Sequence, residues 1–195
     1  MSALGALAPL LLVWFTVVAL GWGDACLRRL APAVGGLQRF CIAILLGLGL
    51  LGYGLLAFGW IAWNTPIAYG SLLVLSLPAL WSPRPRQWVA TLKGLPATYR
   101  TVRSDLTRFD LILLLALVLL MAAHFLVAFS PLIGWDAATH HYAVPKLHLQ
   151  AGRIGPTPEI LFGNYPALAH NLFTWAFALQ GEQLAGLFCW LWLAL

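Results

Sequence analysis

Charged side chains are scarce in this 195-residue chain, in which Lys, Arg, Asp and Glu make up 9% of the residues and hydrophobic residues 62%. A water-soluble domain is about 25% charged and about 45–50% apolar. A soluble fold is therefore excluded, because too few polar side chains exist to cover its surface, and so is an intrinsically disordered chain. Three cysteines are too few for a secreted disulfide scaffold, so reduced structural thiols are expected.

A basic N-terminal region is also missing, since the chain begins Met1-Ser2-Ala3. A signal peptide needs such a region, so we interpret the first apolar run as a retained span. A transmembrane helix takes about 20 residues. The predicted fold is all-α, a polytopic helical membrane protein with about six transmembrane helices. The apolar runs cover residues 4–22, 40–63, 66–81, 111–129 and 166–180, and a sixth begins near residue 183.

The basic residues are distributed unevenly among the connections between these runs. Because basic loops face the cytoplasm, the N-terminus and the loop 130–165 are predicted to face outward. The net charge of +5 fits contact with the lipid bilayer and its anionic lipids. No basic stripe with interleaved aromatics indicates a nucleic-acid partner. The cytoplasmic groups are Arg28, Arg29 and Arg39, and then Arg84, Arg86, Lys93, Arg100, Arg103 and Arg108; the outward loop has only Lys146 and Arg153.

The outward loop carries most of the acid–base chemistry of the chain. Proline disfavours helix at the residue before it, so Ser130 should end the fourth span. Asp136 suits the N-cap of an amphipathic helix over 137–150, which would lie in the membrane interface. Pro145 should kink this helix, and Gly152 should end it. Helical spacing puts His141, Val144 and His148 on one face, and Asp136, His140 and Leu147 on a neighbouring one.

Asp136 has two interpretations, a simple helix cap or a functional acid. An ionised side chain beside a span is costly unless it is used or exposed, which favours the functional acid. Asp136, His140, His141 and His148 are of metal-binding types. We assign no metal ligands, because four such residues in one short helix usually include solvated surface histidines, and a divalent metal cofactor stays open.

The fifth run opens with Asn164, Tyr165 and Pro166. Proline fits a first helical turn, Asn164 is a candidate cap and Tyr165 suits the interface, so structural reasons suffice for all three. His170 and Asn171, one turn further on, are expected to face a cavity or a neighbouring helix.

Taken in order, these features resemble the N-terminal part of the membrane-embedded C-type glycosyltransferases. The similarity is to the protein mannosyltransferase and aminoarabinose-transferase superfamily of bacterial membrane enzymes, and it covers residues from about 111 to the end. It rests on Trp135, Asp136, His140, His141, Tyr142, Pro145, Lys146, His148, Gly152, Arg153 and Ile154, followed by Asn164-Tyr165-Pro166 and Gly181-Glu182.

The resemblance implies transfer of a sugar from a polyprenyl-phosphate carrier to an acceptor on the outer face of a bacterial cytoplasmic membrane. It makes Asp136 the catalytic acid or base. A carboxylate can take the proton of an acceptor hydroxyl, and cationic side chains would stabilise the departing phosphate. The candidate substrate-binding residues are His140, His141, Lys146, Arg153, Asn164, Tyr165 and His170.

Two departures from the family pattern matter. Many relatives have a second acid where Ala137 stands here, and they have more spans than this chain. Residues 1–110 are therefore interpreted as an N-terminal membrane region of three spans with a basic cytoplasmic loop. Residues 111–195 are interpreted as the start of a truncated glycosyltransferase domain, inactive without a downstream polypeptide.

The alternative is a non-enzymatic membrane protein, either a transporter piece or an assembly subunit. A transporter should carry charged residues within its spans. The predicted spans are nearly free of charge, which weighs against ion coupling.

Overall fold

The structure is a computed structural model that describes residues 7–80, 85–103, 106–130, 141–158, 160 and 168–195. Those residues form eight α-helices and no strand. The helices are α1 (Leu7–Leu30), α2 (Gly36–Ile61), α3 (Thr65–Leu80), α4 (Pro85–Arg103), α5 (Arg108–Val127), α6 (Ala143–Ala151), α7 (Leu168–Leu179) and α8 (Glu182–Ala194).

Three of these helices are long and apolar enough to cross a membrane, namely α1, α2 and α5. The others that match predicted spans are shorter, with 16 residues in α3, 12 in α7 and 13 in α8. At about 1.5 Å per residue, α7 is roughly 18 Å long, against a hydrocarbon core of about 30 Å. The all-helical prediction is confirmed for the described residues, and the prediction of about six spans is not confirmed.

The antiparallel pair α1 and α2 is the framework of the bundle. Gly23 packs on the backbone of Ala43, and Gly47 packs on the backbone of Ala19. Because glycine has no side chain, the two helices can approach closely at these crossings. We call the end where α1 ends and α2 begins the Asp24 end, and the opposite end, where Trp63 follows α2, the Trp63 end.

The first helix continues beyond the predicted end of the first span at residue 22. It runs to Leu30 and includes Asp24, which is fully buried and bonded to Arg28 and Arg39. Two guanidinium groups neutralise this carboxylate, so the helix does not have to end before it. The helix thus carries a buried, paired carboxylate beyond the predicted end of the first span.

The core is centred on α7, which contacts α2, α3, α6 and α8. Its buried side chains include Trp175, whose ring packs edge-on against Phe15 of α1 at a centroid distance of 4.6 Å. Helices from both predicted regions, 1–110 and 111–195, thus share one core.

Two helices lie at the margin of this core. The amphipathic α4 is near the Asp24 end, where Trp88 meets Phe40 at 5.7 Å between ring centroids. The fifth helix begins with a capping box formed by Thr107 and Asp110 and has no buried residue. It packs against α8 and leaves the rest of its surface uncovered by the described residues.

Candidate functional site

Half of the predicted site residues fall within the described segments. Asp136, the predicted catalytic residue, lies outside them together with His140, Asn164 and Tyr165. The other four are in or beside α6 and α7, at the Trp63 end of the bundle: His141, Lys146, Arg153 and His170.

The loop helix α6 runs from Ala143 to Ala151 and has Tyr142 as its N-cap. The predicted helix start at residue 137 and the predicted cap Asp136 lie outside the described residues. Pro145 is in the first turn, where the missing N–H has no intrahelical acceptor, so it favours the start of the helix and does not kink it. The predicted end is confirmed, because Gly152 has φ 66 in the left-handed region and caps the helix.

The chain after α6 is fixed to the end of α2 by two backbone hydrogen bonds. The Trp63 N–H donates to the carbonyl of Gly152 at 2.6 Å, and the Ile154 N–H donates to the carbonyl of Gly59 at 2.7 Å. The side chain of Ile154 lies directly over Gly59, where any larger residue would collide with it. These contacts locate the described part of the predicted outward loop, residues 141–158, at the Trp63 end, opposite Arg28 and Arg39.

Two predicted substrate-binding histidines contact each other. His141 Nδ1 lies 2.8 Å from His170 Nε2, although the residues are 29 positions apart. A hydrogen bond between two ring nitrogens needs one donor and one acceptor, so this contact accommodates one proton and not two. Because His141 is exposed and His170 buried, the pair links the surface to the core.

His148 belongs to the same polar group but is enclosed. It is 6% exposed, and its Nε2 lies 3.0 Å from the carbonyl of Gly155. A carbonyl only accepts, so Nε2 carries the proton. Burial lowers the pKa of His148, partly offset by the Gly155 hydrogen bond. At neutral pH the ring is therefore uncharged.

This burial predicts a pH-dependent stability. The pKa of His148 is near 6.5 in the unfolded chain and lower in the folded protein. The stabilisation that comes from burying the neutral ring is therefore complete above about pH 6.5. It falls as the pH decreases through the interval between the two values, by at most about 1.4 kcal/mol per pH unit for one proton. In detergent, the midpoint of thermal unfolding should fall as the pH is lowered from about 7.5 to 5.5, and it should fall less in His148→Gln than in the unmodified protein.

His124→Gln is the matched control, because His124 is exposed on α5. It controls for the loss of a histidine side chain outside the polar group of α6 and α7. Parallel pH profiles of stability for the unmodified protein and His148→Gln would contradict the conclusion that the buried His148 ring causes the pH dependence.

The two predicted cations differ in their surroundings. Lys146 Nζ is 2.8 Å from Glu182 Oε1 and also lies over the Phe177 ring at 5.4 Å, so it links α6 to the start of α8. Arg153 is exposed and lines a recess of about 360 Å³ with His148, Gly155 and Thr157. Of the two, Arg153 is better situated to meet a phosphate.

Further polar residues of this group were not predicted as site residues. Thr174 donates to the carbonyl of His170 at 2.7 Å, and the Trp175 indole donates to the carbonyl of Ala68 at 2.8 Å. Asn171 donates to the carbonyl of Gly52 at 3.3 Å, which confirms that it faces a neighbouring helix. Among the predicted features, only the position of His170 and Asn171 in an apolar helix pointed to this group.

Tyr142 borders the group from the apolar side. Its ring packs against Phe173 and Phe177, and burial strongly raises the pKa of its phenol. The phenol therefore stays neutral at physiological pH.

No family model, curated protein or solved structure matches this chain. The chemistry of the site has to be inferred from its own residues. Within the described segments, no three His, Cys, Asp or Glu side chains are grouped so as to hold a metal ion.

Proposed function

We propose that the chain is the N-terminal part of an integral membrane glycosyltransferase that takes a sugar from a polyprenyl-phosphate carrier. The observation that supports this most is the convergence of His141 and His170 beside α6. His141 belongs to the motif that resembles this family and His170 is in the fifth run, so their contact brings the loop and the fifth run to one place. The proposed site is at the Trp63 end, which would be the outer face of a bacterial cytoplasmic membrane.

In the proposed reaction, an acceptor hydroxyl oxygen attacks the anomeric carbon of the sugar. The bond between that carbon and the phosphate oxygen breaks, and the polyprenyl phosphate leaves with the electron pair. Asp136 takes the hydroxyl proton as general base. Arg153, exposed beside the recess, stabilises the charge on the departing phosphate by a charge-assisted hydrogen bond.

The remaining predicted residues receive narrower roles. Lys146 orients α6 through Glu182 and does not act on the phosphate. The His141–His170 pair supplies ring nitrogens that can donate or accept hydrogen bonds beside the acceptor. His140, Asn164 and Tyr165 remain proposed substrate contacts on the strength of the resemblance alone.

Asp136→Asn in the chromosomal gene should abolish one surface glycan while the protein level is unchanged. Removal of a general base lowers the rate by about 10²–10⁴-fold, enough to remove the product from a glycan profile. Asp110→Asn is the matched control, because Asp110 is the exposed capping residue of α5 far along the chain from the site. A retained glycan in Asp136→Asn would contradict the proposal and favour a non-enzymatic membrane protein.

A further inference from the structure

The depth of α7 in the bundle can be measured along α2. The chain is at the Trp63 end at Ile154, which is bonded to Gly59. At Leu168 it is beside Gly52, where an added Cβ would lie 2.6 Å from a Leu168 side-chain carbon. Ile61 is nine positions after Gly52 along α2, so Leu168 is about 14 Å below the Trp63 end.

From this depth α7 rises toward the Trp63 end and does not continue toward the Asp24 end. Asn171 is still bonded to Gly52, but Trp175 donates to the carbonyl of Ala68. Ala68 is in the first turn of α3, which begins directly after Trp63. The end of α7 is therefore closer to the Trp63 end than its beginning.

The direction of α8 also indicates that α7 ends at the Trp63 end. Its first residue, Glu182, is paired with Lys146 of α6 at the Trp63 end. Further on, an added Cβ at Gly186 would lie 2.8 Å from the carbonyl oxygen of Ala128, and the Trp190 indole donates to Met121 at 2.9 Å. Met121 is about 10 Å from Ala128 along α5.

The fifth helix itself runs from the Asp24 end to the Trp63 end, because α4 precedes it and α6 follows it. Going from Ala128 to Met121 therefore moves toward the Asp24 end, and α8 takes this direction. Its last turn also lines one apolar groove with Leu20 and Gly21 of α1 and Trp88 of α4, all toward the Asp24 end.

We propose that α7 is a half-membrane helix: the chain enters and leaves the bundle at the Trp63 end, and α8 is the helix that descends. Simple alternation of the predicted spans would put the turn between α7 and α8 at the Asp24 end instead. The inference goes beyond glycosyl transfer and requires only that the bundle is membrane-embedded.

The burial of α7 makes this arrangement physically acceptable. A helix that begins at membrane depth must have its polar groups enclosed by protein, since lipid cannot satisfy them. All of the residues from His170 to Ala176 are buried. The Asn171, Thr174 and Trp175 side chains donate to backbone carbonyls, so the polar groups that α7 brings to this depth are paired.

Single cysteines in the full chain test the topology, after Cys26, Cys41 and Cys189 are replaced by alanine. Gln150→Cys reports the Trp63 end, Arg29→Cys reports the Asp24 end and Gln183→Cys reports the start of α8. In sealed vesicles, a membrane-impermeant maleimide should modify Gln183→Cys from the same side as Gln150→Cys, and Arg29→Cys from the other. Modification of Gln183→Cys from the Arg29 side would overturn the proposal.

A cross-link decides the case in which Gln183→Cys is reached from neither side. The Lys146→Cys/Glu182→Cys double variant should be joined by a short bismaleimide, because the native side chains touch. Lys146→Cys/Arg29→Cys is the matched control and should stay unlinked. Absence of the Lys146–Glu182 cross-link would overturn the proposal, since the two positions would then be at opposite ends.

Discussion

Gly47→Ala should strongly destabilise the protein, whereas the same change at Gly70 should not. An added methyl at Gly47 would overlap the backbone of Ala19, and backbone cannot move aside as a flexible side chain can. The two helices must therefore separate along their crossing. Overpacking of this kind costs about 1–3 kcal/mol, and Gly23→Ala on the other side of the same crossing should behave alike.

Gly70 is the matched control because nothing lies within 4 Å of a Cβ added there. Replacing a helical glycine by alanine in open space should raise stability by up to about 1 kcal/mol. Thermal unfolding in detergent, followed by loss of the monodisperse gel-filtration peak, measures both variants. Equal midpoints for Gly47→Ala and Gly70→Ala would contradict the close approach of α1 and α2.

Asp24→Asn should be more damaging still. The carboxylate has no exposed surface; Arg39 donates to it at 2.8 Å and Arg28 donates to it from one turn along α1. Removing one partner from a buried ion pair costs about 3–5 kcal/mol, mostly because the remaining charge stays buried without compensation. The Arg39 side chain is only 12% exposed, so it bears most of that cost. The level of folded protein extracted from membranes should fall sharply.

A double-mutant cycle separates this effect from a general loss of packing. Arg39→Gln combined with Asp24→Asn removes both charges and should recover part of the lost stability. Asp110→Asn, the same chemical change at an exposed helix cap, should cost much less. If the double variant were as unstable as the sum of the two single variants, the ion pair would not be the cause.

Much of the helical structure is predictable from hydropathy, because a long apolar run in a chain this poor in charge has to be a helix. The run 40–63 became α2, and the run 66–81 became α3, each displaced by a few residues. Gly152 was predictable as a cap, since the left-handed conformation favours glycine. The end of α1 was missed because Asp24 and Arg28 look like loop residues, although their spacing of four is that of a helical ion pair.

The candidate site was less predictable, because its contacts join distant parts of the chain. Nothing local specifies that His141 meets His170 or that Lys146 meets Glu182, since both pairings depend on how α6 lies along α7. The depth and direction of α7 were unpredictable for a related reason. Hydrophobicity reports that a segment is buried, and it does not report which way the segment points.

The hydrogen bonds of α7 also impose an order in time. Asn171 is 119 residues after Gly52, and Trp175 is 107 residues after Ala68. At a synthesis rate of about 5–20 residues per second, roughly 6–24 s pass between the appearance of Gly52 and that of its partner. During that interval α2 and α3 exist without the helix that fills the space beside them, so the core around α7 can assemble only after α1 to α6 have been synthesised.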